Sequence, residues 1–138
     1  MENGGIRVSI YRKHTDLPVY KAAFEAAMEV FAVSKQFPRE ETYSLTDQIR
    51  RSSRSVCANI AEAWRKRRSA PFFVSTLNIA EAEAAECQVW LQFAVKCEYL
   101  PVEVSRDLYR KYDEILSQIV HLIRNPDPYI LPPDPPDQ

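Results

Sequence analysis

The chain has 138 residues and a formal net charge of −1, with 18 Lys and Arg against 19 Asp and Glu, a length that suits one domain with a core of its own. Near-neutral charge and a pI of about 6.1 argue against a uniformly basic nucleic-acid coat. The only glycines are Gly4 and Gly5, which removes Gly-rich phosphate loops, dinucleotide fingerprints and most tight hairpins, and leaves an all-α protein.

Residues 1–16 read as an extended N-terminal arm, because Ile6, Val8 and Ile10 alternate with Arg7 and Ser9 but a single short strand has nothing to pair with. Prolines then divide the chain. Pro18, Pro38, Pro71 and Pro101 stand apart from the six prolines of the last 13 residues and mark helix starts or breaks. The first helix is expected from Leu17 to Phe37, with Asp16 as its N-cap and Tyr20, Phe24, Ala27 and Phe31 as its apolar stripe. The second opens at Ser44-Leu45-Thr46-Asp47, where hydroxyl and carboxylate can cap the first turn; its stripe is Leu45, Ile49, Val56, Ile60 and Ala63.

The third begins at Ser69-Ala70-Pro71 and carries Phe73, Leu77, Ala80, Ala84, Cys87, Leu91 and Ala94 in unbroken helical spacing. Beside that stripe runs another, Phe72, Ile79, Trp90, Phe93 and Cys97, making the helix apolar over more than one neighbour requires. The fourth follows Pro101 with Leu108, Tyr112, Ile115, Ile119 and Leu122, widened by Tyr109, Leu116, Val120 and Ile123, and stops near Asn125-Pro126.

Four amphipathic helices with short connections predict an antiparallel up-down-up-down four-helix bundle over residues 17–124. The excess apolar width on the third and fourth helices predicts self-association. Residues 125–138 read as a Pro-rich, extended and disordered tail, with docking of a proline-binding partner as the alternative. No apolar run approaches the ~18 residues of a membrane span and the N-terminus lacks a signal-peptide layout, so a cytoplasmic location without membrane contact is expected. Cys57, Cys87 and Cys97 show no Cys-x-x-Cys pairing, and buried reduced thiols are expected.

Charge is unevenly spread. Residues 44–68 hold Arg50, Arg51, Arg54, Arg65, Lys66, Arg67 and Arg68 against Asp47 and Glu62, so this stretch carries +5 and the remainder −6. At ~100° per residue Arg50, Arg51, Arg54, Arg65 and Arg68 share one arc opposite the apolar stripe. Such a stripe can follow a nucleic-acid backbone, since guanidinium groups bind phosphate bidentately and release counterions. The same arginines can equally be solvated, or pair with Glu81, Glu83 and Glu86 of the third helix or of another subunit. Trp64 falls between the two arcs, where core packing is the ordinary role and base stacking the alternative. Asn59 and Glu62 lie on the flank, suited to structural bonds with a neighbouring helix or subunit, and Glu62 can pair with Lys66.

No catalytic constellation emerges. Di-iron bundles need Glu-x-x-His pairs, yet His14 and His121 lack them. The Arg-then-His spacing of small helical ribonucleases is missing before His121, and Ser52, Ser53 and Ser55 have no evident base. A non-enzyme without metal or cofactor is expected.

The run Phe37-Pro38-Arg39-Glu40-Glu41-Thr42-Tyr43-Ser44-Leu45-Thr46-Asp47-Gln48-Ile49-Arg50-Arg51-Ser52, continued by Ser55-Val56-Cys57-Ala58-Asn59-Ile60-Ala61-Glu62-Ala63, closely resembles the 23S rRNA-intervening-sequence proteins. Phe73, Leu77-Asn78-Ile79-Ala80, Glu86 and Glu98-Tyr99-Leu100 support the resemblance more loosely, over residues 17–124. It implies a small bacterial bundle that assembles as a homopentamer. Relatives that serve diversity-generating retroelements bind nucleic acid and a reverse transcriptase, and the basic positions would map to Arg50, Arg51, Arg54 and Arg65. Ala63 stands where the family usually has glycine, and Glu81-Ala82-Glu83 where it has small residues. The leading expectation is an oligomeric adaptor that presents the arginines to RNA or DNA; the alternative is a protein-interaction scaffold whose arginines form inter-subunit ion pairs.

Overall fold

A computed structural model of the chain describes residues 11–136, so Ile6, Val8 and Ile10 of the expected arm lie outside the described residues. Four long helices make up the fold: α1 (Pro18–Ser34), α2 (Leu45–Arg65), α3 (Ala70–Lys96) and α4 (Val102–Arg124). Short 3-10 turns lie at His14–Asp16, Arg39–Glu41 and Asp127–Tyr129, and no strand occurs among the described residues. α1 and α3 each pack on both α2 and α4, and the four helices enclose one apolar core: a four-helix bundle. No helix among the described residues is long and apolar enough to cross a membrane.

The core follows the periodicity on α3 and α4. Phe73, Leu77, Ala80, Ala84, Cys87, Leu91 and Ala94 are all buried, as are Leu108, Tyr112, Ile115, Ile119 and Leu122. The second apolar stripe of α3 faces outwards instead, with Phe72 65% and Phe93 53% exposed. Polar stitches join the pair: Gln88 Nε2 donates to the Tyr109 carbonyl (3.1 Å) and to Asp113 Oδ1 (2.8 Å), and Ser105 Oγ donates to the Leu91 carbonyl (3.2 Å). Lys111 Nζ reaches Glu29 across α4 and α1 at 2.7 Å.

On α1 the expected stripe is displaced. Of Tyr20, Phe24, Ala27 and Phe31 only Ala27 is buried, and Phe24 is 50% exposed. The face that enters the core is Val19, Ala23, Ala26 and Val30. Small side chains there let α1 approach its neighbours closely at interior packing density, and aromatic rings at the same place would hold the helices apart.

The helix ends also depart from expectation. Asp16 does not cap α1; its Oδ2 accepts from the backbone N–H groups of Arg12 (2.9 Å) and Lys13 (3.0 Å). That bond set closes a 3-10 turn where an extended arm was expected, and Leu17 is the N-cap, followed by Pro18 at N1. α1 ends at Ser34, three residues short of Phe37, whose ring is buried in the turn. At the start of α2 the Ser44 hydroxyl caps nothing on its own helix and bonds instead to Glu41. The Glu41 carboxylate does the capping: Oε1 accepts from Leu45 N (3.1 Å) and Oε2 from the Tyr99 hydroxyl (2.8 Å). Ser69 does cap α3, accepting from Phe72 N at 3.3 Å.

α3 closes without glycine. Glu98 adopts φ 63°, Tyr99 N donates to the Ala94 carbonyl (2.8 Å) and Glu98 N to the Val95 carbonyl (2.9 Å). This is the Schellman arrangement, whose left-handed position glycine normally fills because a Cβ is strained there.

The tail expected to be disordered is docked over its first part. Tyr129 stacks on Phe73 with ring centroids 6.3 Å apart, and Leu131 N donates to the Arg67 carbonyl at 2.9 Å; residues 132–136 are exposed. An aromatic ring able to cover the end of the core outweighs the local proline content. Cys57 and Cys87 are buried, and burial pushes their thiols up to about 11 and about 12. Cys97 is exposed, contrary to expectation, because it sits at the C-cap of α3 on the outward stripe.

Two outcomes follow from the helix ends. Glu98→Gly should raise stability by about 0.5–1 kcal/mol in urea unfolding, since it relieves a left-handed Cβ. The Ser44, Tyr99 and Leu45 bonds hold the Glu41 carboxyl below its ordinary 4.5, and the same contact pushes the Tyr99 hydroxyl from 10.0 up to about 12. The carboxylate's contribution is present above pH 4.5 and is lost as pH falls through its lowered value; the hydroxyl's is present below pH 10 and is lost as pH rises towards 12. The stability gap between wild type and Glu41→Gln should therefore be largest from about pH 5 to pH 10 and shrink on either side, as read by urea midpoints across pH.

Candidate nucleic-acid interface

α2 is amphipathic, and its buried side carries Leu45, Ile49, Val56, Ile60 and Ala63. The opposite side holds the arginines, but the structure gives them different roles. Arg50 is half-buried: its Nε donates to Ser34 Oγ at 2.8 Å, and its guanidinium carbon lies 4.8 Å from the Phe31 ring centre. Arg54 is exposed and lies 5.8 Å from the same ring, with Lys35 Nζ at 4.7 Å. Three cations thus surround the Phe31 ring, a cation–π contact that joins α1 to α2.

Arg51 pairs with Asp47 one turn away, at 2.9 Å with both side chains exposed, a pair of little energetic value. Arg65 is exposed at the last helical position, with no carboxylate partner among the described residues. Arg68 is exposed too, but α2 ends at Arg65 and Lys66 is its C-cap, so Arg68 belongs to the following turn and not to the helical arc. The helix stops early because Arg67 folds back: its guanidinium stacks 3.5 Å from the Trp64 ring centre and its Nε donates to the Trp64 carbonyl at 2.7 Å. Burial, helped by nearby Arg65, pulls the Arg67 pKa down. Trp64 itself is 3% exposed, which leaves no face for a base.

Asn59 does not reach another helix; its Nδ2 donates to the carbonyl (2.9 Å) and the hydroxyl (3.0 Å) of Ser55 on its own helix. Glu62 pairs with Lys66 at 3.0 Å. The α3 acids avoid the arginines: among the described residues no ion pair joins Glu81, Glu83 or Glu86 to α2. Glu86 instead accepts from Ser52 Oγ at 3.4 Å, and Trp90 Nε1 donates to the same hydroxyl at 3.2 Å. Burial and the Glu86 charge push the neighbouring Glu83 carboxyl up. The described residues contain no group of three metal-ligating side chains.

Sequence reasoning missed the aromatic side of the interface. Because the small stripe of α1 turns inwards, Tyr20, Phe24, Met28 and Phe31 line an open groove of about 430 Å³ with Arg54 and Ala58 of α2. Two parallel apolar stripes on one helix, one small and one large, were the available signal. The smaller stripe is the one that packs.

The chain is thus a small all-helical four-helix bundle with exposed arginines on α2 beside the exposed aromatic side of α1. The chain belongs to the 23S rRNA-intervening sequence protein family, whose model matches residues 15–121. It is similar to a solved protein of unknown function from the S23 ribosomal protein family of Bacteroides thetaiotaomicron, at 30% identity and a TM-score of 0.70, over 78% of this chain and 99% of that one. No curated protein matches the chain.

The split among the arginines predicts unequal costs. Arg50→Ala should destabilise the bundle by about 1–2 kcal/mol, because it removes both the bond to buried Ser34 and the stacking on Phe31. Arg54→Ala should stay within about 0.5 kcal/mol, the two being compared by urea denaturation.

Proposed function

We propose that the chain is a non-enzymatic oligomeric adaptor that binds RNA or DNA through Arg54, Arg65 and Arg68, with Arg51 joining once phosphate displaces Asp47. The observation that carries this reading is the exposure of Arg54, Arg65 and Arg68, with which no carboxylate among the described residues pairs. Arg50 anchors the surface to α1 and contributes charge rather than a free hand. The family description, 23S rRNA-intervening sequence protein, supports the same direction. The bundle is up-down-up-down, and copies associate as a homopentamer through the outward apolar stripe of α3. A nucleic-acid-processing protein such as a reverse transcriptase is the class of partner such an adaptor serves.

A second reading has an observation of its own. Phe72, Ile79 and Phe93 are exposed on the helix that carries Glu81, Glu83 and Glu86, so a neighbouring copy could meet α3 with arginines and make a scaffold with no nucleic-acid role. Salt separates the two: phosphate contacts weaken binding, whereas inter-subunit pairs weaken assembly.

Fluorescence anisotropy of labelled structured RNA and duplex DNA, from low to physiological salt, tests the proposal. The log–log salt slope should be steep for wild type and shallower by about 3 for Arg54/Arg65/Arg68→Ala, at ~0.9 for each phosphate that is no longer neutralised, while light scattering shows unchanged assembly. No binding at low salt, or a variant that fails to assemble, favours the scaffold.

A further inference from the structure

We propose that the aromatic groove between α1 and α2 receives the Pro-rich tail of a second copy of this chain. The groove is built from Tyr20, Phe24, Met28 and Phe31 on α1, with Ala58 as a small floor and Arg54 at one end. Phe24 is 50% and Met28 53% exposed, and the Tyr20 and Phe24 rings stack 6.1 Å apart at 25°. Near-parallel rings over a shallow apolar floor are what a polyproline II segment docks on, because the prolines slot between rings without losing chain entropy.

The tail has that conformation written into it. Residues 131–136 are Leu-Pro-Pro-Asp-Pro-Pro; each proline fixes its own φ, and Leu131, Pro132, Asp134 and Pro135 precede a proline and are held extended by it. Residues 132–136 are exposed, so the tail leaves the groove of its own chain open. The root is fixed by Tyr129 on Phe73 and by the Leu131–Arg67 bond, so the tail projects from a defined point. With three residues per turn, Pro132 and Pro135 fall on one edge and Pro133 and Pro136 on another. Five residues at ~3.1 Å span ~15 Å, which matches the ~16 Å from Tyr20 to Phe31 along a helix.

Charge completes the fit. Asp134 is the one ionisable group in residues 131–136; at the Phe31 end the groove meets Arg54, which no described carboxylate pairs with, and Arg50 and Lys35 over the same ring. Tail docking shares Arg54 with the proposed nucleic-acid surface but is read without nucleic acid present, so it succeeds or fails independently of that reading.

Met1 and Met28 are the only methionines, so methyl-labelled methionine gives one signal inside the groove and one at the terminus. In the full chain the Met28 resonance should differ from that of a chain lacking residues 132–138, which keeps Tyr129 and Leu131 and hence its fold. A full-length chain with Pro132, Pro133, Pro135 and Pro136 all changed to alanine should match the truncated one. The decisive sample mixes labelled truncated chain with unlabelled full-length chain carrying Phe24→Ser, which offers a tail and no groove. The Met28 signal should move back to the full-length position and saturate. Arg54→Glu in the labelled chain should weaken the titration about tenfold, and Asp134→Arg in the donor should restore it. A Met28 signal indifferent to the tail overturns the proposal. So does a signal that differs in the full chain but ignores the mixed donor, which places the tail in the groove of its own chain. A signal that shifts with concentration in the truncated chain alone also overturns it, because another surface of a second copy then covers the groove.

Discussion

The close contact of α2 with α3 is the constraint on which the rest of the bundle depends. It is the most extensive helix pair in the fold, and both helices bury small side chains among their larger ones: Ser52, Ser53 and Ala63 on α2, Ala80, Ala84 and Cys87 on α3. Side chains of this size add little bulk between helices, so backbones approach closely and dispersion contacts accumulate. Trp90 donating to Ser52 Oγ at 3.2 Å, and Ser52 to Glu86 at 3.4 Å, show how near the two surfaces lie. Phe73, Leu77 and Leu91 of α3 fill the core beside this contact, while Phe24 and Met28 of α1 and Phe72 and Phe93 of α3 stay outside it.

The surface follows from that exclusion. Phe24 and Met28 on α1, and Phe72, Ile79 and Phe93 on α3, stand exposed on the two helices that flank α2. Between them α2 shows its arginines. Those nearest α1 are drawn onto Phe31, and Arg50 is held further by Ser34, so part of the basic surface is also structural. On the other side Glu86 of α3 accepts from the Ser52 hydroxyl of α2. Basic side chains at Phe31 and the Glu86 carboxylate at Ser52 are thereby held on opposite flanks of one helix, each beside exposed apolar area.

The connections hold this arrangement with little help from glycine. Glu41, placed between α1 and α2, serves as cap for α2 and as acceptor for Tyr99 beyond the end of α3, and the Phe37 and Tyr99 rings pack beside it, tilted by 41° with centroids 5.7 Å apart. At the opposite end of the helices Tyr129 closes the core against Phe73, and Arg67 packs on Trp64 while its carbonyl holds Leu131. Each end is sealed by an aromatic residue from outside the four helices or from their last turns. That is how a chain with a strained Glu98 at a glycine position still closes its helices tightly.

The sequence by itself determined the helix count, their approximate bounds and the buried faces of α3 and α4, because a 3.6-residue apolar repeat over many turns has one solution. It also located the basic concentration on α2, since charge and its spacing are local properties. The tertiary structure decided the rest. On α1 two apolar stripes lay side by side, and only the space left by α2 and α4 selected the alanines of Ala23 and Ala26 over Phe24 and Phe31. The local pattern at Ser44 and Asp47 fitted a cap, yet Glu41 was the better acceptor once Tyr99 approached from another helix. Arg68 left the helical arc because Arg67 found Trp64, and Tyr129 docked because the core end needed a ring. These outcomes depend on partners distant in sequence, and a local repeat carries no information about which of two adequate faces will meet them.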